Sequence, residues 1–173
     1  MKDRTDERKE ILEYVERFAG VLNDSGLQRM TARVFSYVLI DDADTYTAAE
    51  VAEGLDISLA AVSGAVRELA NAGLLIKGRR TSTRADVYRL NDSDIWGTVM
   101  LDRSPIVDRY LQIAVEGLES LPAGPGRSRI AQTAAFMEFM KTEMGTIREL
   151  WLARRGELTA RFEERCRDSD ASG

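Results

Sequence analysis

Apolar residues recur along this chain at spacings that divide it into elements. Between about residues 6 and 24, Ile11, Val15, Phe18 and Leu22 follow at intervals of four, three and four, which places them on one face of a helix. Gly26 suits that helix's C-terminal stop. From 27 to about 40, Met30, Val34 and Val38 form a second stripe, broken by the acidic run 41–44. Thr45 and Tyr46 are β-prone. Thr47 and Glu50 then stand at the capping-box spacing, so a short helix is predicted from Thr47 to about Glu53, ending at Gly54. Ser58 can cap the next helix. There Leu59, Val62, Val66 and Leu69 form the apolar stripe, and Gly73 marks the end. "LLIKGRR" and "ADVYRL" read as two strands joined by "TSTR".

The remainder has a helical pattern. "NDSDIWGTVML" predicts a short helix. Ser104 and Pro105 are a start signal for a helix carrying Ile106, Tyr110, Ile113 and Leu121, and "LPAGPG" is the clearest loop in the chain. From about 127 to 166 the pattern is long, with Met137, Met140, Met144, Ile147 and Trp151 at heptad-like intervals. Gly145 and Gly156 are places where it could bend. "RDSDASG" reads as a frayed tail.

A short helix, a turn, a second helix and a basic hairpin make a helix-turn-helix followed by a wing. The expected fold class is therefore mainly α with a small β wing. A winged helix-turn-helix domain at 26–91 is flanked by an N-terminal helix at 1–25 and a C-terminal helical region at 92–167, with a tail at 168–173.

Composition narrows the chemistry. The 173 residues include one cysteine, Cys166, and no histidine. Cys166 reads as an incidental exposed cysteine. An internal disulfide is excluded, as are a Cys/His zinc site and His-based acid–base or triad catalysis. No convergent set of carboxylates or lysines stands in for them, so the expectation is no enzyme, no metal and no cofactor. No apolar run approaches the ~20 residues a bilayer span requires. The charged N-terminus lacks a signal-peptide core. The expected location is the cytoplasm, with no membrane partner.

Net charge is -5, but it is unevenly spread. Residues 58–90 hold Arg67, Lys77, Arg79, Arg80, Arg84 and Arg89 against Glu68 and Asp86, a balance of +4, which leaves -9 for the rest. Within the helix starting at Ser58, the face opposite the apolar stripe is Ala60, Gly64, Arg67 and Asn71, flanked by Glu68. Ala61 and Ser63 keep its start small. Gly64 in mid-helix costs ~1 kcal/mol relative to Ala, so something must come close to that face. It is either a DNA major groove ~12 Å wide or another protein helix. Ser58 and Ser63 could hydrogen-bond phosphates, and Arg67 a base edge or a phosphate. Lys77, Arg79, Arg80, Thr81, Ser82, Thr83 and Arg84 suit a wing entering a narrow minor groove, or a solvated hairpin. Thr47 is first a helix cap, compatible with a phosphate contact. Trp96, Tyr110, Phe136, Met137, Phe139 and Met140 suit either a dimer core or an apolar effector pocket.

The stretches "GLQRMTARVFSYVLI", "YTAAEVAEGLDISLAAVSGAVRELANAGLLIKGRR" and "DVYRL" resemble MarR-type winged helix-turn-helix transcription regulators, and more closely their GbsR-like branch. The resemblance covers about residues 26–90. Outside it, the flanking helices match in layout more than in residues. It implies a homodimer made by interlocking N- and C-terminal helices, with two winged lobes reading a pseudo-palindromic operator in double-stranded DNA. Residues 58–71 would be the recognition helix and 77–89 the wing. Many relatives carry an acidic residue two places before the wing arginine. Here Ser82 stands before Arg84, which leaves open which wing arginine enters the minor groove. The resemblance further implies a repressor released by a small lipophilic or aromatic effector. The alternative is a helical protein–protein adaptor that uses the winged scaffold without specific DNA binding.

Overall fold

The computed structural model describes residues 4–80, 84–91, 94–101 and 104–170. The chain divides into two compact units, Met1–Ile95 and Trp96–Gly173.

The first unit holds α1 (Arg4–Asp24), α2 (Arg29–Ile40), α3 (Ala48–Leu55), α4 (Leu59–Asn71), β1 (Leu75–Arg79) and β2 (Asp86–Leu90). Its core centres on α2. Val34, Phe35 and Val38 are almost wholly buried there, against Val15 of α1, Val51 of α3 and Val62, Val66 and Leu69 of α4. Each such side chain removed from water contributes ~1.5–3 kcal/mol. Two buried hydroxyls are satisfied locally: Ser36 donates to the Ala32 carbonyl at 2.8 Å, and Thr31 to the Glu68 carboxylate. In α1 the buried positions are Val15, Ala19 and Leu22, while Ile11 lies exposed.

The predicted capping box is present, with the Thr47 hydroxyl accepting from the Glu50 amide and Glu50 accepting from the Thr47 amide. The helix does not end at Gly54. It runs to Leu55 and stops at Asp56 in a left-handed conformation. Gly54 serves a close approach instead, because a Cβ there would collide with the Tyr37 ring. Gly26 and Gly73 both take positive φ, 102° and 74°, and turn the chain out of α1 and α4. β1 and β2 pair antiparallel, Leu75 opposite Leu90 and Arg79 opposite Asp86. Tyr46 adds an isolated bridge to Tyr88 on β2.

The second unit opens with a π-helical turn, Gly97–Leu101, where a short helix is predicted. A helical hairpin follows, α5 (Ser104–Ser120) and α6 (Pro125–Asp170). Asp108 of α5 pairs with Lys141 of α6 at 2.7 Å, and Gly117 lies beside Ile130, so the two helices run antiparallel. α6 passes unbroken through Gly145 and Gly156 and through most of the expected tail; at about 1.5 Å per residue its 46 residues extend roughly 70 Å.

Replacing Phe35 by Ala should lower the unfolding free energy of the first unit by about 3–5 kcal/mol, read as a fall in the urea midpoint.

Candidate nucleic-acid interface

α4 presents the small face expected of it. Ser58 caps the helix, accepting from the Ala61 amide at 3.3 Å. Val62, Ala65, Val66 and Leu69 are buried, and Leu59, expected in that stripe, is 53% exposed. Ala60, Gly64, Arg67 and Asn71 are exposed; Ala61 and Ser63 are half-buried. A Cβ at Gly64 would meet nothing within 4 Å, so no neighbour in the chain requires glycine there. The Ser63 hydroxyl donates to the Leu59 carbonyl at 2.8 Å. Glu68 departs from the exposed set. It is half-buried and accepts the Thr31 hydroxyl at 2.5 Å, holding α4 against α2.

The wing cations fall into three groups. Lys77 and Arg79 share one face of β1 and converge on Asp86, at 2.7 and 4.0 Å. The Asp86 carboxylate raises the Lys77 pKa by hydrogen bonding and by charge. Arg80 leaves the sheet and pairs with Glu50, two parallel bonds of 2.9 and 3.1 Å. Arg84 is exposed at φ 58°. Among the described residues, Arg84, Arg67 and Arg89 make no ion pair within 4 Å. Thr81, Ser82 and Thr83 lie outside the described residues.

Among the described residues of the unit, Glu50 is the carboxylate whose pKa is displaced most. The Arg80 hydrogen bonds first, then the Thr47 amide, hold its pKa at about 2, down from 4.5. Sequence reasoning found Glu50 as a cap but missed its second partner, thirty residues away; the capping-box spacing is the only local signal of it.

The apolar candidates of the second unit do not meet in one cavity among the described residues. Tyr110 lines a depression of about 300 Å³ with Ile106, Arg109 and Ile113. Trp96 lines another, of about 360 Å³, with Gly97, Met100, Leu101, Ile147 and Trp151. Phe136 and Phe139 point outward, 53% and 59% exposed, whereas Met137 and Met140 are half-buried. In α5 the larger side chains Ile106, Tyr110 and Ile113 are exposed and the smaller Val107 and Ala114 buried. The hairpin closes on small residues and leaves a bulky apolar face open. Cys166 is free and exposed. Among the described residues no helix is long and apolar enough to cross a membrane.

Two helices in a tight turn, the second with an open face, and a two-stranded basic hairpin beside it define a winged helix-turn-helix lobe. Residues 94–154 match the family model of the MmpR5-like MarR family transcriptional regulators. The MarR resemblance is thus borne out, though through the C-terminal helices rather than the winged lobe, and with an MmpR5-like rather than a GbsR-like model. The match implies a transcriptional regulator of the MarR type, not an enzyme. A crystal structure described as that of a transcriptional regulator is similar at TM-score 0.72 and 22% identity, covering 84% of this chain and 99% of that one. A mutant of Lactococcus lactis ZitR in apo form matches at TM-score 0.32 and 19% identity, covering 80% and 98%. A comparison with curated proteins found no match.

Gly64→Ala should raise stability by about 1 kcal/mol, because a helical glycine with open space gains from a methyl group; chemical denaturation measures it. Glu50, with its folded pKa depressed, should contribute its tie fully above pH 4.5 and lose it as pH falls towards 2. In Arg80→Ala its carboxyl titration, followed by NMR, should move up towards 4.5.

Proposed function

We propose that this protein is a homodimeric, sequence-specific DNA-binding regulator, a repressor released by a small apolar effector. The observation that carries this reading is the α4 face: Gly64 has no neighbour within 4 Å, yet it stands in mid-helix, where glycine is costly. The surface that needs it bare comes from outside the chain. Arg67 on the same face and Arg84 and Arg89 on the wing, without an ion pair among the described residues, give that surface a negative sign. A DNA duplex meets both demands, with the groove floor at α4 and the phosphates around it.

In this reading residues 58–71 dock in a major groove, and the wing, 77–89, enters the flanking minor groove through Arg84. Ser58 and Thr47, each at a helix start, sit where phosphates are bound. The exposed apolar faces of α1, α5 and α6, among them Tyr14, Ile106, Tyr110, Phe136 and Phe139, would be covered by a second copy. Two-fold symmetry then sets two half-sites about one helical turn, ~10 bp, apart. An effector releases the protein only if it binds the DNA-free arrangement more tightly. Trp96 and Tyr110, in their separate depressions, are the apolar places for it. The cytoplasm is the matching location.

The test is fluorescence anisotropy on the DNA upstream of the gene, with an unrelated duplex as control. The expected result is ~10³-fold tighter binding to the specific site, with a steep salt dependence. Equal, weak binding to both duplexes would sink the reading. Gly64→Leu should abolish specific binding while leaving the circular dichroism unchanged. Arg84→Ala should reduce the salt slope by ~1.

A further inference from the structure

Arg80 stands at the neck of the wing tip. Its amide donates to the Ala85 carbonyl at 2.9 Å, and its own carbonyl accepts from the Arg84 amide at 2.8 Å. Arg84 is held there in a left-handed conformation, which costs a non-glycine residue on the order of 1 kcal/mol. The Arg80 side chain does not follow the hairpin. It reaches back to α3 and takes both oxygens of Glu50.

Nearer its base the hairpin packs on α2, α3 and α4, with Leu75 and Val87 buried. Tyr46 and Tyr88 exchange backbone hydrogen bonds of 2.8 and 2.7 Å, and Tyr88 lies opposite Lys77. These contacts hold the base and middle of the hairpin, and the end beyond them is left free to bend. The Arg80 pair lies three residues nearer the tip, about 10 Å further along at the usual rise of a strand, and removes that freedom.

α3 is a firm anchor for the tie. One Glu50 oxygen also accepts the Thr47 amide at 2.6 Å in the capping box. At the other end of α3, Arg8 of α1 donates to the Glu53 and Gly54 carbonyls at 3.1 and 3.3 Å. α3 packs in turn on α4. The neck of the wing is therefore fixed to the block that carries the open helix face.

We propose that Arg80 and Glu50 are positioning residues, whose bidentate ion pair sets the angle of the wing tip so that Arg84 reaches DNA while α4 is docked. The proposal rests on the DNA-binding reading above, and it takes Arg80 itself out of contact with DNA. It depends on the planar fork of arginine, which lysine lacks, and on the charge of Glu50, which glutamine lacks. Glutamine still accepts the Thr47 amide, so Glu50→Gln keeps the capping box.

The sign of the Glu50→Gln effect decides the matter. Removing an acid beside a phosphate-binding surface tightens binding on charge grounds alone; losing the wing's angle weakens it. The probe is a duplex selected by the wild-type protein from a random-sequence pool, with anisotropy read between ~50 and ~200 mM salt. Backbone ¹⁵N relaxation of the free protein reports wing motion. Glu50→Gln and Arg80→Lys should each raise Kd for that duplex about tenfold, the factor expected if the wing holds the docked angle one-tenth of the time. The salt slope should not change, and motion should rise at Arg79 and Ala85. Binding by Glu50→Gln as tight as wild type, or tighter, would overturn the proposal. So would wild-type affinity in Arg80→Lys together with a slope lowered by ~1 in Arg80→Ala, which marks a phosphate contact. If the wild type selects no sequence, the DNA-binding reading falls and the proposal with it. If it selects a sequence that the variants bind equally well, the positioning role alone falls.

Discussion

The first unit depends on the burial of one short helix. α2 packs against α1, α3, α4 and β2, and its twelve residues include six that are buried. Because its Val34, Phe35 and Val38 fill the middle of the unit, the helices around it have no latitude in which face they turn inward. α4 must direct Val62, Val66 and Leu69 at α2, and the Thr31–Glu68 hydrogen bond fixes its rotation further. Ala60, Gly64, Arg67 and Asn71 are then exposed by default. The open face is a consequence of the core, and its smallness is a separate property of the sequence.

The electrostatics of the unit divide along the same line. Two of the four cations between 77 and 84 are absorbed by Asp86 and a third by Glu50, so the local positive charge is smaller than a residue count suggests. Among the described residues, Arg84 at the wing, Arg89 on β2 and Arg67 on α4 make no ion pair. Exposed ion pairs of this kind contribute little stability. Their worth in this lobe is geometric: Asp86 keeps two long side chains on one face of the sheet, and Glu50 joins the wing to α3.

Local chemistry was legible in the sequence. The Thr47 and Ser58 caps, the turn at Gly73, the hairpin and the start at Ser104 are each written within a few residues, and each is present. Effects that need a distant partner were not. Gly54 looked like a helix stop, but its glycine serves Tyr37, seventeen positions earlier. Gly145 and Gly156 looked like breaks, yet α6 continues through them, since glycine in a helix costs only ~1 kcal/mol. Hydrophobic size misled in α5: the larger stripe is exposed and the smaller one buried, because close helix packing selects Ala114 and Gly117. Glu68 and Arg80 stood in the right elements for DNA contact, and pattern alone could not show that each has a partner inside the unit.

In the proposed function the bare face of α4 and the wing meet DNA together. Hydrogen exchange of the wild-type protein, with and without a duplex it has selected, tests this most directly. Exchange should slow at residues 58–71 and 84–90 in the complex, with α5 unaffected by the duplex. A complex in which these two segments exchange as in the free protein would contradict it.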